Sequence, residues 1–203
     1  MTLQTGRYLI SCVRDITKGK KLPDGVGYLN HIPEILTRVC KHPDVSDFKV
    51  IGEAFDVTCA NFAVAAAKAY QEQLTKGLSE DEAQLQCGVH KAAAAKMHVL
   101  GFLFHRFCDA VMQAPAGLQG PLSDLCKLYG LNTIKENAGS FLQYGYIKPA
   151  QMNEIDNKVD HHYQSDSQLV DIGFVCSPKT AASGSHRFLG SNRLCHQFAS
   201  RMP

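Results

Sequence analysis

The feature that most constrains this chain is a pair of long alanine-rich segments at its centre, joined by a short turn. From residue 46 to about residue 76, apolar side chains recur at three- and four-residue steps, the period of a helix buried along one broad stripe. Gly77 suits the position just after a helix end, and Ser79-Glu80-Asp81-Glu82 is a capping box. A second long helix is therefore predicted from Glu80 to about Gln113, and the two form an antiparallel hairpin.

Alanines are concentrated where the two predicted helices should meet. Residues 60–69 contain six alanines, and Ala92 to Ala95 lie near the middle of the second helix. Alanine costs less in a helix than any other residue, and its small side chain lets two helix axes approach closely. We expect Ala65 and Ala93 to lie in this seam, where a larger side chain forces the helices apart.

Shorter helical patterns flank the hairpin, and no strand pattern of comparable strength is present. Pro115, Gly117 and Gly120-Pro121 are expected to separate the hairpin from the next helix, and Phe141–Tyr146 is predicted to be an apolar connector. The predicted flanking helices cover Leu3–Ile16, Glu34–Cys40, Leu122–Glu136 and a last segment that starts at Pro149. The sequence thus predicts an all-α helical bundle, built around a long antiparallel helix hairpin, over residues 1–171.

The C-terminal end has a different character. From Gly173 the last 31 residues contain four basic residues, no acidic ones, five serines and three glycines, and they keep no helical period. A disordered tail is predicted over residues 172–203.

Composition excludes several classes of protein. Apolar residues make up 45% of the 203 residues and charged residues 20%, which is typical of a folded domain rather than a disordered chain. The net charge of +2 gives no reason to invoke nucleic acid or an anionic membrane surface. No apolar run reaches the roughly 18–20 residues that a membrane span needs, and Met1–Ile10 lacks the apolar core of a secretory signal.

Eight cysteines are present, but their spacing fits neither a disulfide framework nor a zinc site. No two of them form a C-x-x-C pair. We interpret them as reduced, buried, small apolar side chains. They are Cys12, Cys40, Cys59, Cys87, Cys108, Cys126, Cys176 and Cys195.

Three histidines share the second long helix. His98 and His105 are two turns apart and nearly share a face, whereas His90 is turned away from them. Two turns are too far apart for both histidines to bind one ion without a partner helix, so half-buried helix histidines are favoured over a metal site. The adjacent His161-His162 pair is expected at the surface.

Other polar candidates have a structural interpretation as well. Glu53 is either a buried acid with a raised pKa or an exposed or paired carboxylate, and the second is favoured. Lys18-Gly19-Lys20-Lys21 is expected to be a solvated helix end. Nucleotide-binding glycine motifs are absent from the sequence. No catalytic, cofactor-binding or metal residue is assigned from the residues alone.

Several segments resemble the peroxisomal acyl-CoA oxidase family, in order and in approximate spacing, over about five-sixths of the chain. Leu3–Leu9 resembles the family's Leu-Gln-x-Ala-Arg-Tyr-Leu segment, and Tyr28-Leu29-Asn30 resembles its next landmark. Glu53-Ala54-Phe55 resembles the opening of a long C-terminal helix. The more specific match runs from Leu128-Tyr129-Gly130-Leu131 to Asn137–Gln143, which resembles Leu-Tyr-Ala-Leu followed by Asn-Ala-Gly-Asp-Phe-Leu.

The resemblance implies a C-terminal helical domain of a larger flavoenzyme, truncated at both ends. The family oxidises fatty acyl-CoA to trans-2-enoyl-CoA with FAD and produces hydrogen peroxide. Its catalytic Glu belongs to a Glu-Gly-x-Asn element that falls upstream of Met1, as does most of the FAD site, so no catalytic residue carries over. The implied function is part of an FAD-dependent acyl-CoA oxidase that is inactive and binds no FAD alone. The alternative is a non-enzymatic module that docks onto oxidase subunits.

Partner and location follow from the same resemblance. Removal of the upstream domains is expected to expose the apolar residues Leu3, Leu9, Ile10 and Val13 and the segment Phe141–Tyr146. These faces should then mediate self-association or binding to oxidase subunits. The family implies a peroxisomal location. The chain ends in Arg201-Met202-Pro203 rather than Ser-Lys-Leu, so a cytoplasmic location stays open.

Overall fold

The computed structural model describes residues 2–165, and these fold into α-helices joined by short connections. No β-strand occurs within this range, so the all-α prediction is confirmed. The elements are α1 (Thr2–Thr17), a 3-10 helix (Asp24–His31), α2 (Ile32–Leu36), α3 (Phe48–Thr75), α4 (Glu80–Gln86), α5 (Gly88–Gln113), α6 (Ala116–Glu136), α7 (Ala138–Gln143) and α8 (Pro149–Ser165). The predicted tail, residues 172–203, lies outside the described residues.

The predicted hairpin is present, and α1 packs against both of its long helices. Ala63, Ala66 and Ala94 are completely buried, whereas Ala65 and Ala93, which we expected in the seam, are only half-buried. Glycines let the helices approach most closely. A Cβ on Gly101 of α5 would lie 3.1 Å from the Cys59 sulfur of α3. The seam is therefore built from small residues, but it uses Ala66 and Ala94 rather than the adjacent Ala65 and Ala93 that the sequence predicts.

The turn after α3 has the predicted local chemistry. Gly77 adopts φ +88°, a left-handed conformation that favours glycine, and the backbone N–H groups of Gly77 and Leu78 donate to the carbonyls of Leu74 and Gln73. The capping box is also confirmed. Ser79 Oγ accepts from the Glu82 N–H at 3.4 Å, and Glu82 Oε2 accepts from the Ser79 N–H at 3.0 Å.

The second arm of the hairpin is broken, which corrects the prediction of one helix from Glu80 to Gln113. Cys87 (φ −87°, ψ 17°) leaves the helical conformation between α4 and α5. The adjacent Gly88 has a poor helix propensity and offers little resistance to the break. A buried polar contact holds the corner, because Lys91 Nζ donates to Gln84 Oε1 at 3.1 Å.

The opposite correction applies to α6, which begins at Ala116 rather than after Gly120-Pro121. The missing N–H of Pro121 leaves the Gly117 carbonyl without its helical donor, but both residues are exposed and water can reach that carbonyl. Gln119 Nε2 donates to the Ala114 carbonyl at 3.0 Å, which ties the start of α6 to the end of α5. Pro121, the sixth residue of α6, therefore does not end the helix in these exposed surroundings.

Two smaller boundaries also differ. The helix predicted over Glu34–Cys40 is α2, Ile32–Leu36, because the Thr37 hydroxyl caps it by donating to the carbonyls of Pro33 (3.3 Å) and Glu34 (3.1 Å). The first three residues of the predicted Phe141–Tyr146 connector belong to α7, which ends at Gln143.

The apolar segments expected to be uncovered are mostly buried, which corrects that prediction. Leu9, Ile10, Phe141 and Tyr146 are each at most 1% exposed. Phe141 packs edge-on against Phe55 of α3, with ring centroids 5.3 Å apart. The chain thus covers these residues with its own helices, while Leu3 is 56% exposed and Val13 half-buried.

Within residues 2–165, only α3 is long and apolar enough, by length and composition, to cross a membrane. The apolar runs in the sequence predict no such segment. Of the most apolar window in α3, 61% is buried inside the fold. Its side chains include Ile51, Ala54 and Phe55, none of them exposed, so α3 serves as the central core helix.

The cysteine prediction is confirmed for the described residues. All six cysteines there are free thiols, and all but the half-buried Cys108 are buried. Cys176 and Cys195 lie outside the described residues.

Candidate functional site

A cleft of about 360 Å³ lies where the 3-10 helix crosses α3 and α5. The close approach at Gly101 brings facing side chains of these elements together. The cleft's titratable side chains include Tyr28, Asp56, Cys59, His98, His105 and Asp109. Sequence reasoning identified the two histidines, but it did not identify their partners.

His105 of α5 pairs with Asp56 of α3. Its Nε2 lies 2.9 Å from Asp56 Oδ1, and both side chains are partly buried. The hydrogen bond to the carboxylate favours the imidazolium, so it raises the pKa of His105 above its usual value although burial opposes this. No short sequence motif signals this pair, because 49 residues separate its members.

His98, two turns earlier on α5, has the opposite environment. Its Nδ1 lies 3.1 Å from the Tyr28 hydroxyl, and burial lowers the pKa of His98. Burial also raises the pKa of Tyr28. Both groups are thus kept neutral, and the Tyr28 hydroxyl can donate to the imidazole. One cleft therefore holds a histidine that favours its proton and another that resists protonation.

The nearby thiol is not an activated nucleophile. Cys59 is fully buried, its Sγ donates to the Met97 carbonyl at 3.1 Å, and burial raises the pKa of the thiol far above neutrality. No group of three His, Cys, Asp or Glu side chains within residues 2–165 is placed to hold a metal ion. The cleft thus contains one histidine that favours the protonated form and one that favours the neutral form. It contains neither a nucleophile paired with a base nor a set of metal ligands.

Glu53 is a paired carboxylate, which confirms the favoured interpretation. The hydroxyl of the buried Tyr146 donates to Glu53 Oε2 at 2.9 Å, and an Arg38 guanidinium nitrogen lies 3.7 Å from Oε1. Burial is the largest cause that raises the pKa of Tyr146, followed by this carboxylate. These contacts connect the segment before α8 to α3. The three side chains, together with Lys41 and Lys49, line a groove of about 600 Å³.

The remaining candidates are at the surface. His90 is exposed, whereas His98 and His105 are half-buried as predicted. The basic turn is exposed, and Lys20 Nζ lies 2.9 Å from Asp15 Oδ1. His161 is exposed, and the side chain of His162 lies outside the described residues.

Comparison with known families identifies the chain's relatives. The family model described as acyl-CoA oxidase matches residues 47–165, more than half of the chain. The matched range begins just before α3 and ends at the last residue of α8, so it includes both members of the His105–Asp56 pair.

Curated relatives show the same similarity. Acyl-coenzyme A oxidase 2 of Yarrowia lipolytica is 27% identical over 176 residues, which cover 86% of this chain and 25% of that protein. Peroxisomal acyl-coenzyme A oxidase 1 of Mus musculus is 28% identical over 166 residues, which cover 78% of this chain and 25% of that protein. The chain therefore spans about a quarter of the length of the relatives it matches.

Solved structures agree on the fold. The crystal structure of acyl-CoA oxidase 3 from Yarrowia lipolytica superposes with a TM-score of 0.79 at 28% identity and covers 83% of this chain and 24% of that one. Acyl-CoA oxidase-1 of Caenorhabditis elegans, complexed with FAD and ATP, superposes with a TM-score of 0.71 at 19% identity and covers 81% of this chain and 25% of that one. The second similarity concerns the fold alone.

Proposed function

Because this chain belongs to the acyl-CoA oxidase family, we propose that it supplies the C-terminal helical part of a fatty acyl-CoA oxidase. The family match over residues 47–165 carries this proposal, since it spans the helices from α3 to α8. The whole oxidase converts fatty acyl-CoA to trans-2-enoyl-CoA. FAD accepts the hydride and passes the electrons to oxygen, which yields hydrogen peroxide.

The proposed role of this chain is structural rather than catalytic. Acyl-CoA oxidation needs a free carboxylate base at the acyl α-carbon and a flavin at the β-carbon. The two carboxylates of α3 that the candidate sites contain are committed to neighbours. Asp56 accepts from His105, and Glu53 accepts from Tyr146 beside Arg38. Both carboxylates are therefore already paired with side chains of this chain.

Activity of the purified chain tests this role. We expect no hydrogen peroxide above the level without protein when the chain is incubated with FAD and a long-chain acyl-CoA. We also expect no flavin absorbance to co-purify with it. The full-length mouse oxidase serves as the positive control. Peroxide formation that depends on the chain and on acyl-CoA contradicts the structural role.

In this proposal, the chain binds the rest of the oxidase through the outer side of α5. Val99, Phe102 and Leu103 are 41–49% exposed there, at helical spacing. The Arg106 guanidinium lies over the Phe102 ring, 5.5 Å from its centroid, so the patch ends in a cation. We assign an acyl-CoA oxidase subunit as its occupant, because the chain matches only a quarter of the length of its relatives. The family resemblance implies that the catalytic Glu and most of the FAD site lie outside the matched part.

Binding to a full-length oxidase tests the surface. We expect the purified chain to form a complex with the mouse enzyme in analytical ultracentrifugation. A Phe102→Glu/Leu103→Glu variant should bind at least about tenfold more weakly, because a buried apolar contact is replaced by charge. Leu85→Glu on α4 is the matched control, since Leu85 is 78% exposed but lies on another helix.

Three outcomes contradict the assignment of the occupant. They are self-association of the chain with no oxidase complex, a monomer that binds nothing, and a complex that both variants weaken equally. In cells, we expect the chain to co-localise with the oxidase in peroxisomes. A purely cytoplasmic distribution, in cells that contain the oxidase, contradicts the proposed location.

A further inference from the structure

Two thiols meet where α5 packs against α6. Cys108 Sγ lies 3.7 Å from Cys126 Sγ, although 18 residues separate the two cysteines in sequence. Cys126 is completely buried and Cys108 is half-buried. A disulfide has a bonded S–S distance of about 2.05 Å, so its formation requires the two sulfurs to move about 1.65 Å closer together.

Access to the pair is one-sided. Cys108 lines a cleft of about 290 Å³ together with Phe48, Met112 and Ser123, whereas Cys126 does not line it. A small polar oxidant can enter the cleft and reach Cys108. Cys126 is buried on the far side of Cys108 from the cleft. This is the arrangement of an accessible thiol with a resolving thiol.

The other described cysteines lack such a neighbour. The thiols of Cys59 and Cys87 donate to backbone carbonyls, those of Met97 and Gln84. Cys40 Sγ accepts from Gln151 Nε2 at 3.1 Å. Among residues 2–165, Cys108 and Cys126 are the only two thiols within hydrogen-bond distance of each other.

We propose that Cys108 and Cys126 are a redox-modification site, which a hydroperoxide converts into a reversible disulfide between α5 and α6. The Cys108 thiolate attacks the peroxide, which gives a sulfenic acid and releases hydroxide. Cys126, as its thiolate, then attacks that sulfur, and the departing hydroxide takes up the proton that Cys126 lost, so water leaves. In total, two thiols and one hydrogen peroxide give one disulfide and two waters, so the sulfurs lose two electrons and the peroxide gains two.

The chemistry of the pair stands on its own, and only the source of the oxidant rests on the proposed function. An acyl-CoA oxidase releases hydrogen peroxide, so a helical part of that enzyme is close to the oxidant. The cleft at Cys108 does not include Val99, Phe102 or Leu103. Occupation of the outer α5 face by a partner therefore leaves the thiol accessible.

Burial sets the rate of the proposed reaction. It raises the pKa of Cys108 and raises that of Cys126 to about 12, so both are thiols at neutral pH. Because only the thiolate reacts, disulfide formation should be slow near pH 7 and about tenfold faster for each unit of pH increase below the Cys108 pKa. The disulfide should also raise the melting temperature, since it closes a loop across the α5–α6 corner.

The test uses the full-length chain and hydrogen peroxide itself. The chain is incubated with peroxide, free thiols are alkylated, and a peptide map is recorded without reduction. We expect a cross-linked peptide pair that contains Cys108 and Cys126, lacks two hydrogens, and disappears after treatment with dithiothreitol. Cys126→Ser should instead trap the sulfenic acid of Cys108, and Cys59→Ser, the matched control at another buried thiol, should leave the cross-link unchanged.

The wild-type peptide map keeps the proposal falsifiable even if a variant folds poorly. Complete alkylation of both thiols after peroxide treatment overturns it. So does stepwise over-oxidation of Cys108 without a cross-link, or preferential pairing of either cysteine with Cys176 or Cys195. These results do not affect the proposed oxidase role, which the binding and activity experiments test separately.

Discussion

The inner and outer sides of α5 differ in what completes their packing. On the inner side, Ala94, Met97 and Phe104 are at most 2% exposed, because α1, α3 and α6 cover them. On the outer side, Val99, Phe102 and Leu103 are 41–49% exposed. One helix therefore carries apolar residues on two sides. Other helices of this chain cover the inner side and leave the outer side exposed. The inner residues stabilise the fold, and the outer residues are the ones proposed to contact a partner.

Removal of the large aromatic side chain from the inner side should have the largest effect. Phe104 stacks on Phe55 with ring centroids 5.3 Å apart, and a Cβ on Gly130 would lie 2.8 Å from its ring. We expect Phe104→Ala to lower the free energy of unfolding by about 3–5 kcal/mol through the cavity it leaves. Phe102→Ala, on the outer side, should cost under about 1 kcal/mol. Denaturant unfolding measures both, and equal losses contradict the comparison.

A larger side chain in the seam between the helices should have the next largest effect on stability. Ala94 is completely buried, so Ala94→Leu should lower the free energy of unfolding by about 1–3 kcal/mol because it forces α5 away from its neighbours. Ala93→Leu, at the adjacent half-buried position, is the control and should cost less. If thermal melting shows the reverse order, the seam lies on the face that the sequence predicts rather than on the one that the structure shows.

A smaller effect should depend on pH. A histidine whose pKa is raised on folding adds stability below its unfolded pKa of about 6.5 and loses it as the pH rises through the folded value. The advantage of the wild type over Asp56→Asn should therefore be larger near pH 5.5 than near pH 8.5. Because the His105 side chain is 41% exposed, the difference should stay below about 1 kcal/mol.

Unfolding measurements at the two pH values check this prediction. His98, whose pKa burial lowers, contributes with the opposite sign, but it is present in both proteins and cancels in the difference. An advantage of the wild type that grows with pH excludes the His105–Asp56 pair as the cause.

The smallest effect on stability belongs to the outer side. We expect Leu103→Glu to change the free energy of unfolding by no more than about 0.5 kcal/mol, because its side chain is 49% exposed and covers little. The same substitution should weaken binding to a full-length oxidase. A stability loss similar to that of Ala94→Leu means that Leu103 belongs to the core and that no docking surface is left there.

The sequence predicts what is local. The helical period of the apolar residues locates α3, and Gly77 and the capping box locate the turn after it. These signals act within a few residues. The break at Cys87 and the continuation through Pro121 are not predictable in this way. The first depends on the buried contact from Lys91 to Gln84, and the second on exposure of the Gly117 carbonyl.

Contacts between distant residues also escape a sequence pattern. Asp56 and His105 are 49 residues apart, and Tyr146 and Glu53 are 93 residues apart, so only the packed helices bring them together. Exposure was predicted at Leu9 and Phe141, which are buried, whereas Val99, Phe102 and Leu103 on the outer side of α5 are 41–49% exposed. A helical period shows that a face is apolar, but the remaining elements decide whether that face is covered.

Hydrogen–deuterium exchange of the chain, with and without the full-length mouse oxidase, tests most directly whether the outer side of α5 is built for an oxidase. We expect slower exchange in peptides that cover residues 96–106 when the oxidase is present, and unchanged exchange in α4. The Phe102→Glu/Leu103→Glu variant should lose this protection while keeping the exchange pattern of the free wild type. Unchanged exchange throughout α5 at saturating oxidase contradicts the account, as does protection confined to other helices.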